Sequence, residues 1–214
     1  MPGKSALEIE VKLRVASRRD AQERLRAAGA RRVRTVREHN ILFDTPGGRL
    51  RQQGCLLRLR IERARGAGKR RFLLTCKGPV LRPSRYKARE EQEFEVRAAA
   101  PVIACLRMLG FAPVFRYEKA RTSYAMRGAP GLHVELDQVP FGWFIELEGP
   151  RRLIDMASRR LGYRRRDYVT RSYLALHAQD CRRRGAPLRD MLFPRKKSRQ
   201  GEHSLLDFEI LRAY

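Results

Sequence analysis

Leu7–Arg14 reads LEIEVKLR. Side chains of an extended strand alternate between its two faces. Glu8, Glu10, Lys12 and Arg14 therefore share one side, and Leu7, Ile9, Val11 and Leu13 share the other. One face is apolar and the other wholly charged. A solvated outer strand of any barrel or sandwich shows the same pattern, so its meaning depends on whether later strands repeat it.

The rest of the chain offers several strands for that comparison. A helix follows the opening strand: Ser17 and Asp20 resemble a capping box, and Ala21, Leu25 and Ala28 fall on one helical face before Gly29. Residues 33–43 read as extended and end in the turn cluster DTPGG, 44–48. Residues 55–63 and 70–77 read as a hairpin, 88–97 as a strand, and 101–109 as a helix with Pro101 near its start and Gly110 past its end. Strands are expected over 114–126, 132–139 and 143–148, a helix between Pro150 and Gly162, and another over 167–177. Gly66, Gly68 and Lys69 do not make a phosphate-binding loop, because Arg70 stands where Ser or Thr is required. They read as a hairpin connection.

The charged and apolar division recurs. Arg58 and Arg60 alternate with Leu57, Leu59 and Ile61, and Lys77 falls opposite Phe72 and Leu74 in facing. Arg89, Glu91, Glu93 and Glu95 share a face, as do Lys119 and Arg121, Glu135 and Asp137, and Glu146 and Glu148. Acids are grouped with acids and bases with bases, two residues apart. Like charges side by side repel unless something of opposite sign lies between them. Carboxylates converging on a divalent cation, and Lys and Arg converging on a phosphate chain, would supply that compensation. Strands closed into a barrel with the charged face inward would give a polar tunnel with helices on its apolar exterior. Small barrels usually have the opposite arrangement.

Composition limits the partners. The 214 residues, 43% of them apolar, suffice for a core. A net charge of +25 and a pI near 11.2 attract nucleic acid, polyphosphate or nucleotides without choosing among them. Cys55, Cys76, Cys105 and Cys181 form no C-x-x-C pair, which argues against zinc and a disulfide framework and for free thiols in a reducing cytoplasm. The N-terminus lacks the apolar region of a signal peptide, and no apolar run reaches the ~18 residues of a spanning helix, so a cytoplasmic protein without membrane contact is expected. One domain is expected over residues 1–180. Residues 181–214, with CRRRGAPLRD and PRKKSRQ, read as a basic tail partly docked on it.

The ordered set E-x-E-x-K at Glu8, Glu10 and Lys12, LLRLR around Arg58 and Arg60, LTCKGP at Lys77, YKAREEQEFEV over 86–96, EKAR over 118–121 and VELDQVPFGWFIELEG over 134–149 closely resembles the CYTH family. These are the triphosphate tunnel metalloenzymes, named for class IV adenylyl cyclase and thiamine triphosphatase. The resemblance runs from about residue 6 to 176 and implies an α+β fold, an eight-stranded antiparallel β-barrel with a charged interior and helices outside. It implies Mg2+ or Mn2+ held by Glu8, Glu10, Asp137, Glu146 and Glu148. A triphosphate would be cradled by Lys12, Arg58, Arg60, Lys77 and Arg121, with Arg89, Lys119 and the late basic position Arg171 as further contacts. Glu8, Glu10, Lys12 and Lys77 are the residues on which catalysis would fall. Glu91, Glu93 and Glu135 are further tunnel acids, and Glu95 belongs either to the lumen or to a solvated strand end. Two sequence departures, the Phe141-Gly142-Trp143-Phe144 turn and Cys76, leave the charged set untouched.

Two enzymatic readings follow. In the leading one the chain is of the class IV adenylyl cyclase type, converting ATP to cyclic AMP and pyrophosphate. In the alternative it hydrolyses tripolyphosphate, thiamine triphosphate or a nucleoside triphosphate in the same tunnel. Neither requires a Ser-His or Cys-His nucleophile, and His39, His133 and His177 read as structural or surface residues, with His133 alone sharing the parity of Glu135. A non-catalytic RNA- or polyphosphate-binding role is the weakest reading. Such modules interleave exposed aromatics with basic residues, whereas aromatics are 8% here and sit mostly on the apolar parity. Nucleic acid is expected only as a non-specific partner, and a homodimer is compatible with the pattern.

Overall fold

Eight strands carry the alternation into three dimensions. The computed structural model describes residues 6–64, 70–81 and 84–194. The strands are β1 (Ala6–Val15), β2 (Ala30–Asp44), β3 (Leu56–Ala64), β4 (Arg70–Lys77), β5 (Lys87–Val96), β6 (Ala112–Met126), β7 (His133–Val139) and β8 (Gly142–Glu148). They close into one antiparallel barrel in the order β1-β5-β4-β3-β2-β6-β7-β8. Closure leaves no sheet edge. Each register keeps the charged parity on one side: Glu8 faces Arg89, Lys12 faces Glu146, Glu38 faces Lys119, Arg121 faces Asp137, and Lys77 faces Glu91.

The apolar parity points outward and is covered by helices. Helix α1 (Arg18–Ala27) starts as its sequence indicates, with the Ser17 hydroxyl accepting from Asp20 N at 3.1 Å. Its Ala21 and Leu25, with Ile154, Ala157 and Leu161 around α4 (Arg151–Arg160), bury Val11, Leu13, Ile145 and Leu147 completely or nearly so. Helix α3 (Ala99–Met108) lays Ala99, Ile103 and Leu106 over Ile41, Leu59 and Ile61. Full burial of side chains of this size stabilises by roughly 1.5–3 kcal/mol each, so the core holding the barrel together lies outside it. Gly149, at φ +146°, is required between β8 and α4. A Cβ there would stand 2.6 Å from the Gly131 carbonyl oxygen.

Three segments differ from expectation. The DTPGG turn leads into a single helical turn, α2 (Arg49–Gln52), whose free amides are met by Asp44. Its carboxylate accepts from Thr45 N and Leu50 N at 2.8 Å and Arg51 N at 3.0 Å. The helix expected over 167–177 begins instead at Tyr173: α5 spans Tyr173–Arg183 behind a Ser172 cap. Asp167 closes a short 3-10 turn, Arg165–Asp167. The β-branched Val169 then exchanges two 2.9 Å backbone hydrogen bonds with Lys12, an isolated bridge that pins the segment between the 3-10 turn and α5 to β1. Finally, the helix runs past Cys181, and the following strap lies against β6. Arg116 and Glu118 bond the Met191 backbone at 2.9 Å, and Asp190 accepts from Arg116 N at 2.8 Å. The hairpin connection over 65–69 and the apolar piece LLDFEILRAY lie outside the described residues.

The four cysteines are free thiols. Among the described residues no helix is long and apolar enough to cross a membrane.

Candidate active site

The barrel interior is a cavity of about 410 Å³ lined by the charged parity of the strands. Its walls differ in sign. Going round the closed order, β8 and β1 contribute Glu146, Glu148, Glu8 and Glu10, while β4, β3 and β6 contribute Lys77, Arg58, Arg60, Lys119 and Arg121. Lys12 on β1 and Lys87 and Arg89 on β5 stand among or beside the acids. An acidic arc thus faces a basic one across a space bounded by buried charges.

Ion pairs satisfy most of this lining. Glu8 accepts from Lys77 Nζ at 2.6 Å and lies 3.4 Å from Arg89 Nε. Glu10 accepts from Lys87 Nζ at 2.5 Å and Lys12 Nζ at 3.0 Å, and Lys12 also reaches Glu146 at 3.1 Å. Arg58 meets Glu93 at 3.3 Å and the Tyr117 hydroxyl at 3.3 Å, while its Nε is a buried donor without an acceptor among the described residues. Arg60 lies 3.5 Å from Glu38 and 3.6 Å from Glu62. Buried pairs of this kind return about what their desolvation costs, but breaking one is expensive.

The titration directions follow. Burial alone would raise the Glu10 carboxyl, but Lys12 and Lys87 hold it well below the usual carboxylate range. Burial opposes the charge on Lys12, which Glu10 and Glu146 more than restore. Lys87 goes the other way: burial, helped by Lys12 and Arg89, outweighs Glu10 and brings its ammonium down to about 8. Glu148 is the exception among the acids. Burial and the charges of Glu8, Glu91 and Glu10 push it up to about 7 against the pull of Lys77. Among the described residues it has no hydrogen-bond or ion-pair partner, and Glu10 is its direct register partner on β1.

The structure brings together Glu8, Glu10, Lys12, Arg58, Arg60, Lys77, Arg89, Glu91, Glu93, Lys119, Arg121, Glu146 and Glu148 around the cavity. Asp137 and Glu135 are placed differently. Asp137, fully buried, stands behind the lining and takes Arg121 Nε at 2.8 Å, Lys119 Nζ at 3.0 Å and the Tyr173 hydroxyl at 2.9 Å. Glu135 lies farther along the same parity, opposite Ser123 and Glu146. Arg171 is exposed and donates to Gln179 Oε1 at 2.8 Å, away from the lumen. Glu95 is a solvated strand end paired with Arg71. His133 is exposed, and His177 packs outside the lumen against Phe115 and Phe141.

Several lumen groups are additional to the sequence reading. Lys87 opens β5 one residue before the strand start read from sequence, on the parity of Arg89. Glu38 and Asn40 lie on the inner face of β2, where alternation against Ile41 and Phe43 carries the same signal. Thr75 and Tyr117 are inward by strand parity and hold Arg58 at 3.1 and 3.3 Å. Tyr173 comes from a helix, so no strand alternation marks it.

A divalent ion fits this donor set in part. Among the described residues no three His, Cys, Asp or Glu side chains are gathered closely enough to hold one. Glu8 and Glu10 are occupied by lysines, and Glu148 is crowded by acids. Like charges directly opposite are destabilising, and hard cations take carboxylate oxygen. The chemistry of Glu8, Glu10 and Glu148 therefore suits such an ion once Lys77, Lys12 and Lys87 turn elsewhere.

The model of the CYTH domain matches residues 6–173. Among solved structures, a protein of Pyrococcus horikoshii aligns at 26% identity and a TM-score of 0.67, covering 81% of this chain and 99% of that one. A Vibrio parahaemolyticus protein described as a candidate adenylate cyclase aligns at 20% identity and 0.66, covering 82% and 99%. A Hippeastrum protein described as a candidate adenylyl cyclase with a dominant triphosphatase activity aligns at 24% identity and 0.59, covering 85% and 97%. No curated protein matches the sequence.

Proposed function

The chain belongs to the CYTH family, and from that premise we propose that it is a metal-dependent enzyme acting on a triphosphate, with ATP the leading substrate. One observation carries the reading: a closed barrel whose cavity sets Lys77, Arg58, Arg60, Lys119 and Arg121 opposite Glu8, Glu10 and Glu148. A triphosphate needs cations along its length, and catalysis on it depends on position and charge neutralisation more than on covalent chemistry. Among the described residues no His or Cys lines the cavity, which accords with that requirement.

The lumen residues divide the work. Arg58, Arg60 and Arg121 offer planar forks that suit phosphate oxygens, and the lysines act as point charges. As the substrate enters, Lys12, Lys77 and Lys87 move their bonds from Glu8 and Glu10 to phosphate oxygens. The freed carboxylates, with Glu148 and then Glu146, would be the oxygen donors for Mg2+ or Mn2+. That ion, when bound, supplies charge neutralisation on the phosphate oxygens. Asp137 keeps Arg121 and Lys119 aimed into the lumen and is assigned that role instead of ligation.

The cyclase reading draws further support from the space beside the tunnel. A cavity of about 1270 Å³ shares Leu42, Leu56, Lys87, Arg89, Ser172 and Leu174 with the lumen and continues between the α2 turn and the strap. A nucleoside has room there while its phosphates lie in the barrel. In this reading the 3′-hydroxyl attacks the α-phosphorus and pyrophosphate leaves. Hydrolysis is the second reading, favoured by the activity described for the Hippeastrum protein. We place either activity in the cytoplasm, in keeping with the free thiols. Incubation with ATP or tripolyphosphate and Mg2+ or Mn2+ separates them: cyclic AMP with pyrophosphate means cyclase, orthophosphate means hydrolase. Absence of turnover with both metals refutes the proposal.

A further inference from the structure

The lumen does not account for the charge of +25. Its cations are paired with acids, and among the described residues every lysine (Lys12, Lys77, Lys87, Lys119) lines the tunnel. Among the described residues the excess is arginine on the exterior. Three of these arginines begin one row of the barrel's outer surface, where Arg70 on β4, Arg63 on β3, Arg37 on β2, Ala120 on β6, Gln138 on β7 and Trp143 on β8 are successive register partners. At ~4.8 Å per strand the row is about 24 Å long.

Most of this row borders an open groove of about 490 Å³ that also takes in Arg18 and Gln22 of α1, and Arg32 and Tyr124. Among the described residues its lining holds no acid. Arg18, Arg32, Arg37 and Arg63 are exposed, and none of them makes an ion pair with a described residue. Arg70, Arg63 and Arg37 stand directly opposite one another on neighbouring strands, an arrangement that repels unless an anion lies across it. The other end of the groove has a different chemistry. Trp143 and Tyr124 are half-buried rings whose inner edges pack on the core, and Gln22 and Gln138 add amide groups. The small Ala120 between the two ends keeps the floor low.

We propose that this groove binds single-stranded nucleic acid, with phosphates on the arginine row and a base stacked on Trp143. Arginine-lined grooves with aromatic platforms and amide donors are what single strands use. An acidic peptide would use the arginines and leave the rings and amides without a role. The aromatics do lie on the apolar parity, but that parity is the exterior, and at Trp143 the helices leave part of it uncovered. The barrel wall separates this surface from the lumen, so the proposal stands independently of the tunnel's activity.

Trp143 is the chain's single tryptophan, so its emission reports on the groove. The full chain is titrated with a short oligouridylate at several salt concentrations, with and without saturating tripolyphosphate. Expected are quenching of Trp143, a log–log salt slope of about −3 for four phosphate contacts at ~0.7 each, and no displacement by tripolyphosphate. The double variant Arg37→Glu/Arg63→Glu should bind at least tenfold more weakly with triphosphate turnover and circular dichroism unchanged. Trp143→Phe, followed by anisotropy of labelled oligomer, should lose about tenfold through weaker stacking. Displacement by tripolyphosphate would place the oligomer in the tunnel. Undiminished binding in the double variant, equal binding of oligoglutamate, or absence of quenching would each overturn the proposal.

Discussion

Glu148→Gln should make the metal-free protein more stable, and by an amount that depends on pH. Burial and the neighbouring Glu8, Glu91 and Glu10 lift this carboxyl from 4.5 to about 7 in the folded chain. Between those values the native state holds a proton that the unfolded state has released, so stability falls as pH rises. The penalty is absent well below 4.5 and complete above about 7. A carboxyl raised that far carries a penalty of roughly 3–3.5 kcal/mol, at ~1.4 kcal/mol for each tenfold change in proton affinity. Glutamine keeps the shape and removes the charge. Urea unfolding in chelator should therefore give the variant an advantage of about 2–3 kcal/mol near pH 8.5, shrinking below about 0.5 kcal/mol near pH 4.5. The same substitution should weaken metal dependence of turnover. An advantage equal at both pH values, or none at the higher one, would refute the electrostatic crowding on which the metal assignment rests.

Other substitutions probe other parts. Arg60→Ala should raise KM for the triphosphate roughly tenfold to a hundredfold, the loss of a charged hydrogen-bond donor worth about 1.5–3 kcal/mol, with the metal requirement unchanged; steady-state kinetics decide. Asp137→Asn should destabilise by about 3 kcal/mol or more, because Lys119 and Arg121 lose a fully buried partner; denaturant midpoints read this. Asp155, held down to about 2 by Arg165, Tyr86 and Tyr168 against burial, ties α4 to the approaches of β5 and α5. Asp155→Asn should cost about 1–2 kcal/mol at neutral pH, and the difference from wild type should vanish as pH falls from about 4 through about 2, followed by thermal melts.

The strands and the lumen were legible because one physical rule governs them. A strand in a barrel has an inside and an outside, and at residues 8–12, 58–60 and 146–148 the two differ in every side chain. The rule fails where a group reaches the lumen by another route. Tyr173 projects from a helix whose start is set by the Ser172 cap and by Val169 pairing with Lys12, a contact between residues far apart in the chain. Lys87 was hidden by a strand boundary one residue off. Parity also cannot distinguish a carboxylate that faces the cavity from one that stands behind it. Asp137 and Glu146 look alike in sequence, yet Asp137 is enclosed by Arg121, Lys119 and the Tyr173 hydroxyl, while Glu146 borders the cavity.

The division between lysine and arginine joins the interior to the proposed chemistry. Among the described residues arginine is spread across the exterior, while the lysines, at positions 12, 77, 87 and 119, are all in the lumen. Arginine's fork fixes a partner in one geometry, whereas an ammonium is a point charge on a flexible stem and can exchange one oxygen for another. Lys12, Lys77 and Lys87 pair with Glu8 and Glu10, and in the proposed reading they would release them when phosphate arrives. Substrate and metal would then favour each other: lysines drawn to phosphate would leave Glu8 and Glu10 available as oxygen donors, and carboxylates engaged by an ion would leave the lysines available to phosphate. Reciprocity requires the two affinities to rise by the same factor. Mn2+ affinity measured with and without a non-hydrolysable triphosphate, and triphosphate affinity with and without Mn2+, should therefore change equally. Lys77→Arg should diminish that factor more than it diminishes triphosphate binding in chelator. A coupling factor unchanged in Lys77→Arg would show that the lysines play no part in the exchange.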